Sequence, residues 1–543
     1  MQRLGEIFPT REGFRELAKD RRVVPISMRI LGDTYTPISL YSKLAQSRPG
    51  TFLMESAAAG GVWSRYSFIG VNSPATLTSK DGAAYWMGEV PVGVPTEGIS
   101  VEVLRDTVAA LKSKPLPGLP TLTSGMVGFV GWEAVRHWEK LPNPPHDDLH
   151  LPEIAMILVG DMAVHDNTDG TVTLIANAIN FDGTDEHMDT AYDAALDRLA
   201  EMLDRLNAPG HEAAVVLTGH DIEREELLKT ITHSWDEKSY QDAIRVGKQA
   251  IVDGEVFQVV ISRRFELETD AAPLDIYRVL RATNPSPYMY IYTFENPGGG
   301  AYSIVGSSPE ALVTLNDRHV ITHPIAGSRP RGATYEEDQL HEKDLINDEK
   351  ERAEHLMLVD LSRNDLSKVC EPGSVEVTQF MEVERFSHIM HLVSNVVGTL
   401  RPDATAYDTL AATFPAGTLS GAPKPRALRL LDELEPQRRS VYGGVVGYFD
   451  FDGDMDMAIT IRSALVKDGR AYVQAGGGIV ADSVIEAESL ESVNKSAAPI
   501  RAVYAAGSVK HATSYIIREY RAAETSLTVE SLSLESQTAE GAK

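Results

Sequence analysis

A globular chain of helices and strands, divided into roughly two to four packed units, is what this sequence predicts. Three observations carry that expectation. The chain has 543 residues, too many for one ordinary hydrophobic core at about 150 residues per domain. Hydrophobic residues make up 43% and charged residues 24%, a globular balance rather than a fibrous or disordered one. Helical periodicity and β-branched runs alternate along the chain, punctuated by Gly and Pro.

Taken in order, Thr10–Lys19 reads as a short helix, and Tyr66–Val71 and Met156–Ala163 as strands. Asp185–Leu206 is a polar-faced helix closed by Asn207-Ala208-Pro209-Gly210, and a boundary is expected between about Pro209 and Ser234. Beyond it Tyr240, Ala243, Ile244, Ala250 and Ile251 share one helical face that Gly254 ends. A β-branched run, Val256–Phe265, precedes a helix at Pro273–Thr283; Tyr288–Phe294 and Ile304–Leu315 read as strands. Glu336–Asp365 is helical with a break near Asn347. Tyr442–Phe451, Met455–Val466 and Arg470–Ala475 form a meander turning at Asp452-Gly453 and Asp468-Gly469, and Ser483–Ala506 closes the fold as a helix. The Ser/Glu/Thr-rich tail after His511 is too weakly hydrophobic to pack.

The formal net charge is −27, which argues against a nucleic-acid or anionic-membrane partner, since both need a basic surface. A single cysteine, Cys370, excludes an internal disulfide and a multi-cysteine metal site, and fits a reducing, cytoplasmic setting. Met1–Arg22 lacks the apolar stretch of a signal peptide, and the uncharged Pro115–Trp132 holds too much Pro and Gly to cross a membrane.

Several segments could carry chemistry. Glu351/Glu354 and Glu488/Glu491 are i,i+3 pairs on separate predicted helices, each presenting two carboxylates on one face. Facing each other they would suit a hard cation such as Mg²⁺; taken singly, such pairs are more often solvated helix faces. Arg329 and Arg331 after the turn Ile325–Ser328 suggest an anion cradle, or an exposed basic loop. Gly476-Gly477-Gly478 allows close backbone approach, though a plain turn is the commoner meaning. His388 and His391 share a face if helical, and Phe414–Lys424 is a Gly/Pro loop bearing Thr418, Ser420 and Lys424. No G-x-S-x-G or P-loop arrangement occurs. Gly125–Phe129 echoes Gly444–Tyr448, a pattern that suits shared β packing better than duplication.

Ordered segments then converge. GEVFQVVISRRF (Gly254–Phe265), PSPYMYI (Pro285–Ile291), SSPEALV (Ser307–Val313), PIAGSRPRG (Pro324–Gly332) and ERAEHLMLVDLSRNDL (Glu351–Leu366) come first. MHLVSNVVG (Met390–Gly398), GTLSGAPK (Gly417–Lys424), YGGVVGY (Tyr442–Tyr448), AITIRSA (Ala458–Ala464), AGGGIV and ESLESVNKS (within Ala475–Ser496) follow. Together with FLMESA (Phe52–Ala57) and RYSFIG (Arg65–Gly70) they resemble the chorismate-utilising enzyme family, in its anthranilate synthase branch.

That resemblance implies an α+β fold, a two-layer β core surrounded by helices with the active site in a cleft between the layers. It implies that residues 1–215 carry part of a tryptophan regulatory site and that 235–510 bind chorismate, leaving 511–543 as the tail whose composition points to disorder. By the same resemblance, Glu354 and Glu491 are Mg²⁺ ligands with Glu351 and Glu488 completing the site. Tyr442 and Arg462 hold the enolpyruvyl carboxylate, while Gly327, Ser328, Thr418, Gly476, Gly477, Gly478 and Lys495 surround the ring. Glu310 is the general acid and His391 the proton-transferring histidine, with Thr418 beside them. Glu55, Ser56, Pro287, Tyr288 and Met289 match the tryptophan inhibitor site.

The implied reaction is chorismate plus ammonia to anthranilate and pyruvate, inhibited by tryptophan. Two positions distinguish the relatives: Gln258 stands where water-adding members carry a lysine base, and Ala326 where others carry a lysine nucleophile. Cys370, in KVCEPG, is no nucleophile elbow. A separate glutamine amidotransferase subunit is therefore expected, in a heterotetramer of two large and two small chains. A binding homologue without turnover is the alternative, and the joint presence of Glu310, Glu354, His391, Arg462 and Glu491 argues against it.

Overall fold

The computed structural model describes residues 3–57, 65–209, 215–217, 224–385 and 389–511. The tail from 512 onward and His388 lie outside the described residues. Two large sheets dominate. Among the described residues one has 13 strands and the other 11, and Val215–Leu217 pairs separately with Val509–His511.

At the centre of the first sheet, Thr51–Glu55, Tyr288–Glu295, Ala301–Ser308, Ser463–Lys467, Arg470–Ile479 and Gln258–Glu268 lie side by side. The second sheet runs Ile325–Pro330, Ile389–Thr399, His319–Thr322, Ala311–Asn316, Met455–Ile459, Val445–Asp450, Gly125–Val130 and Ile154–Leu158. Every pairing of these named strands is antiparallel. Strands from before residue 215 and after residue 235 hydrogen-bond to one another in both sheets, at Phe52↔Tyr292 and at Gly128↔Gly447. The second of these joins the two glycine-punctuated segments directly. A methyl at Gly128 or Gly447 would stand 1.9 Å from a backbone carbonyl of the next strand, so neither position accepts a side chain.

The layers face each other across a core of Phe52, Phe129, Tyr290, Tyr292, Phe294, Tyr302 and Leu465. The Phe129 and Phe294 rings, one from each sheet, meet edge-on at 5.5 Å, the spacing favoured by the ring quadrupole. Helices Met188–Asn207, Pro273–Thr283 and Ile485–Ala506 cover the first sheet through Leu199, Ile276, Leu280 and Val503. Helices Ser100–Ala110, Ala406–Thr413 and Lys424–Leu434 contribute Leu104, Leu410 and Leu428 to a further core. The fold is therefore α+β with a two-layer β core. No described helix is long and apolar enough to cross a membrane.

The helices follow their sequence signals closely: Arg11–Leu17, Glu237–Val252, Pro273–Thr283, Tyr335–Asn347 and Glu349–Ser367 all form. The last is capped by Asp348, whose carboxylate accepts from the Lys350 and Glu351 amides.

Three runs expected as single strands are each two strands in different sheets. Met156–Ala163 divides at Val159-Gly160, Ile304–Leu315 at Pro309-Glu310, and Met455–Val466 at Thr460-Ile461-Arg462. A β-branched run satisfies either sheet equally, so local pattern does not reveal the switch. Proline at 309 removes a ladder donor and marks one of them. These corners matter because two of them deliver Glu310 and Arg462 to the space between the layers.

Candidate active site

Glu310 sits at its corner with Ile459 N–H donating to the Glu310 carbonyl. Glu310 is part-buried, and its carboxyl accepts from Thr418 Oγ1 at 3.1 Å. Burial pushes that carboxyl up to about 7; Thr418, then Arg462 and Lys495, pull against the rise. Thr418 lies on the one-turn helix Gly417–Ser420, so the expected Gly/Pro loop is partly helical. Lys424, from the same segment, is turned away from Glu310 into a buried ion pair with Asp365 at 2.6 Å.

Arg462 occupies its corner with φ of 52°, a conformation that costs a non-glycine residue about 1–3 kcal/mol. Ser307 N–H donates to its carbonyl. Among the described residues its guanidinium makes no hydrogen bond or salt bridge, although it lies in the field of Tyr442, Glu310 and Glu491. Tyr442 is buried, and burial pushes its hydroxyl up to about 12.

His391 is on the strand Ile389–Thr399, not on a helix, and faces Ser328 in the register. The reading that pairs it with His388 falls on a position outside the described residues. Its Nδ1 lies 2.8 Å from Gly327 O; a carbonyl only accepts, so Nδ1 carries the proton and Nε2 is left basic. Burial, reinforced by Arg462 and Lys495, lowers its pKa and keeps the ring neutral near pH 7.

The glutamates converge from two helices. Gly476-Gly477-Gly478 lies inside the strand Arg470–Ile479 rather than in a turn. A methyl at Gly477 would come within 2.9 Å of Glu488 Oε2 and 3.6 Å of Glu491 Oε2, and one at Gly478 within 3.7 Å of Glu354 Oε1. The carboxylates of both helices thus lie close against this strand. Glu354 accepts from Gln258 Nε2 at 2.9 Å, and Glu491 meets Lys495 Nζ at 2.5 Å. Burial, then the charges of Glu351 and Glu491, raises Glu354. Burial and Glu491 likewise raise Glu488, while Lys495 brings Glu491 down against the effect of burial.

Glu351 is held at 3.4 Å by Arg329, which also binds Asp344 and Asp348; Arg331 is paired with Asp338. These arginines fasten Tyr335–Asn347 and its neighbour in place, so the anion-cradle reading of Arg329 and Arg331 is corrected. Among the described residues no three His, Cys, Asp or Glu side chains are gathered closely enough to hold a metal ion as they stand. The donor chemistry nevertheless fits a hard cation. Glu488 Oε2 is buried without a hydrogen-bond partner, and Glu354 and Glu488 are raised by burial first and by a neighbouring carboxylate in addition.

Outside this cleft, Glu55 pairs with Met289 in the register of adjacent strands, with Ser56, Pro287 and Tyr288 beside them. Only 3% of the Glu55 side chain is exposed. It accepts from Tyr277 Oη and from Arg281 Nε, the latter at 2.6 Å. Sequence reasoning missed both partners; their signal was i,i+4 spacing on Pro273–Thr283, with a tyrosine on an otherwise apolar face. Tyr288 Oη donates to the buried Asp456 at 3.1 Å, linking the two sheets.

Comparison with known proteins agrees with this arrangement. The sequence pattern described as chorismate binding enzyme matches residues 50–501. Anthranilate synthase component 1 of Arthrobacter globiformis is 65% identical over 513 residues, spanning 94% of this chain and 96% of that one. The Mycolicibacterium smegmatis protein of the same name is 52% identical over 503 residues, 92% and 94% of the two chains. The crystal structure of anthranilate synthase component I from Streptococcus pneumoniae TIGR4 superimposes with a TM-score of 0.69 at 34% identity, covering 87% of this chain and 99% of that one. This chain belongs to the chorismate binding enzyme family.

Proposed function

We propose that the chain is the synthase subunit that converts chorismate and ammonia into anthranilate, pyruvate and water. The observation that carries this reading is a part-buried acid holding its proton to about 7, Glu310, in the same electrostatic environment as the unpaired Arg462 guanidinium. Arg462 and the Tyr442 hydroxyl grip the enolpyruvyl carboxylate, where a guanidinium fork matches two oxygens. Ser328, Thr418 and the strand amides of Gly476, Gly477 and Gly478 line the ring.

Glu310 gives its proton to the C4 hydroxyl, which leaves as water while ammonia bonds to C2. The added nitrogen returns its surplus proton to Glu310. The Nε2 of His391 then takes the C2 proton as the C3–O bond breaks, the ring becomes aromatic, and the released enolpyruvate gains a proton on its methylene carbon to become pyruvate. Glu354 and Glu491, with Glu488 and Glu351 beside them, would hold Mg²⁺, which when bound supplies positive charge for the ring carboxylate. Lys495 contributes a second cation on the same side through its contacts with Glu491 and Gly476 O.

Gln258 cannot deprotonate water and Ala326 carries no amine, so ammonia is the nucleophile we favour over water or a lysine. Cys370 is buried, and its thiol is pushed up to about 11 by burial, which suits an inert core cysteine. Nitrogen then comes from a separate glutamine amidotransferase subunit in a two-plus-two assembly. The strand pair bearing Glu55, Ser56, Pro287, Tyr288 and Met289 is assigned to tryptophan, which inhibits the enzyme.

Purified chain mixed with chorismate and Mg²⁺ tests the reading. Fluorescent anthranilate should form with ammonium but not with glutamine until the amidotransferase is added. Glutamine use by this chain alone, or no product with ammonium, overturns it.

A further inference from the structure

The last turn of Lys424–Leu434 leads into Glu435 and Arg439, a fully buried ion pair that no part of the reaction above employs. Arg439 Nε and Nη2 donate to the two Glu435 oxygens at 2.8 and 2.7 Å. Nη1 also donates to Leu419 O and Nη2 to Val260 O, both at 2.6 Å. The guanidinium lies 4.2 Å from the Trp132 ring centroid and 5.6 Å from that of Tyr442. Glu435 Oε1 in turn accepts from the amide and hydroxyl of Ser262 at 2.8 and 2.9 Å.

Arg439 thereby touches four separate pieces of the cleft. Leu419 follows Thr418 on its one-turn helix. Val260 is two residues from Gln258, the partner of Glu354. Tyr442 is the phenol assigned to the substrate carboxylate, and Trp132 comes from the N-terminal part of the chain. The planar fork satisfies two carbonyls and a carboxylate at once, which an ammonium on a flexible stem does not reproduce. An ion pair taken out of water brings little net stability compared with apolar residues of similar volume, so stability alone does not account for this one.

The geometry points to Arg439 as a positioning residue, one that sets the placement of Thr418 against Glu310 and of the Tyr442 ring within the cleft without touching substrate. The inference rests on the assignment of Thr418 and Tyr442 to chorismate turnover. Removing the arginine outright strands Glu435 and endangers the fold, so the test is Arg439→Lys, with Leu428→Ala as a core variant that only destabilises.

Both are compared with the unaltered chain in ammonium-dependent turnover and in thermal unfolding. Arg439→Lys should raise KM for chorismate and lower kcat, each by about tenfold, as expected when reacting groups are displaced by a fraction of an ångström. Leu428→Ala should lower the unfolding temperature and leave kcat and KM, per folded molecule, within about twofold. Arg439→Lys with both constants unchanged, or altered only as much as in Leu428→Ala, overturns the assignment. An unaltered chain that does not turn over chorismate refutes the functional reading instead.

Discussion

Replacing Glu310 by Gln should remove turnover and, above neutral pH, make the protein more stable. The carboxyl is part-buried beside Thr418, and its desolvation raises it from the ordinary 4.5 to about 7. The folded chain therefore binds this proton more tightly than the unfolded chain. The sign follows: stability from this group is complete below pH 4.5 and is lost as pH rises through 7. At about 1.4 kcal/mol for each tenfold change in affinity, keeping Glu310 ionised inside the fold at pH 8 costs about 3 kcal/mol.

Glutamine has the same shape, never ionises, and still offers Thr418 an oxygen. Urea unfolding of both proteins should show Glu310→Gln more stable by about 3 kcal/mol at pH 8, with the advantage shrinking below about 1 kcal/mol at pH 5. Turnover should fall by about 10²–10⁴-fold, the range for loss of a general acid. A stability difference that is the same at both pH values would refute the claim that this acid is held protonated by its surroundings. Full activity in the variant would refute its role.

Other consequences are checked as simply. Glu491→Gln should abolish Mg²⁺-dependent turnover while the helix Ile485–Ala506 stays folded, read by activity against Mg²⁺ concentration and by circular dichroism; undiminished activity removes Glu491 from the metal set. Ser56→Phe, beside the strand pair of Glu55 and Met289, should raise the tryptophan concentration needed for half-inhibition at least tenfold with little change in uninhibited rate. An unchanged inhibition curve would move the regulatory site elsewhere. Lys424→Met removes the 2.6 Å partner of Asp365 and leaves it only Lys368 at 2.9 Å, so it should destabilise the fold by about 1.5–3 kcal/mol in urea unfolding, whereas a loss below about 0.5 kcal/mol would mean that Lys368 and water replace the contact.

Helix boundaries were legible because their signals are local. Asp348 caps Glu349–Ser367, and the break expected near Asn347 occurs there. The two-layer arrangement came from resemblance, and no local signal would have supplied it. The runs around Glu310 and Arg462 look like continuous strands because the residues that end them do so by changing sheets, a choice dictated by partners far away in the chain. Pro309 was a readable clue; Thr460-Ile461-Arg462 offered none.

The paired glutamates were visible as spacing, but Gln258 on Glu354 and Lys495 on Glu491 became visible only in three dimensions. Arg329 and Arg331 show the reverse error. Their basic, turn-flanked context suggested an anion, and the acidic helix that neutralises them follows immediately in the sequence. The lone cysteine and the acidic balance are explained unequally: the cysteine is a buried core residue, while most of the −27 charge lies outside the cleft and is not explained by it.

The central claim is that this cleft adds ammonia to chorismate and expels pyruvate. The most direct measurement supplies ¹⁵N-ammonium, chorismate and Mg²⁺ to the purified chain and identifies the products by mass spectrometry. Labelled anthranilate and pyruvate should form in equal amounts. Isochorismate, a 4-amino product or unchanged chorismate would contradict it.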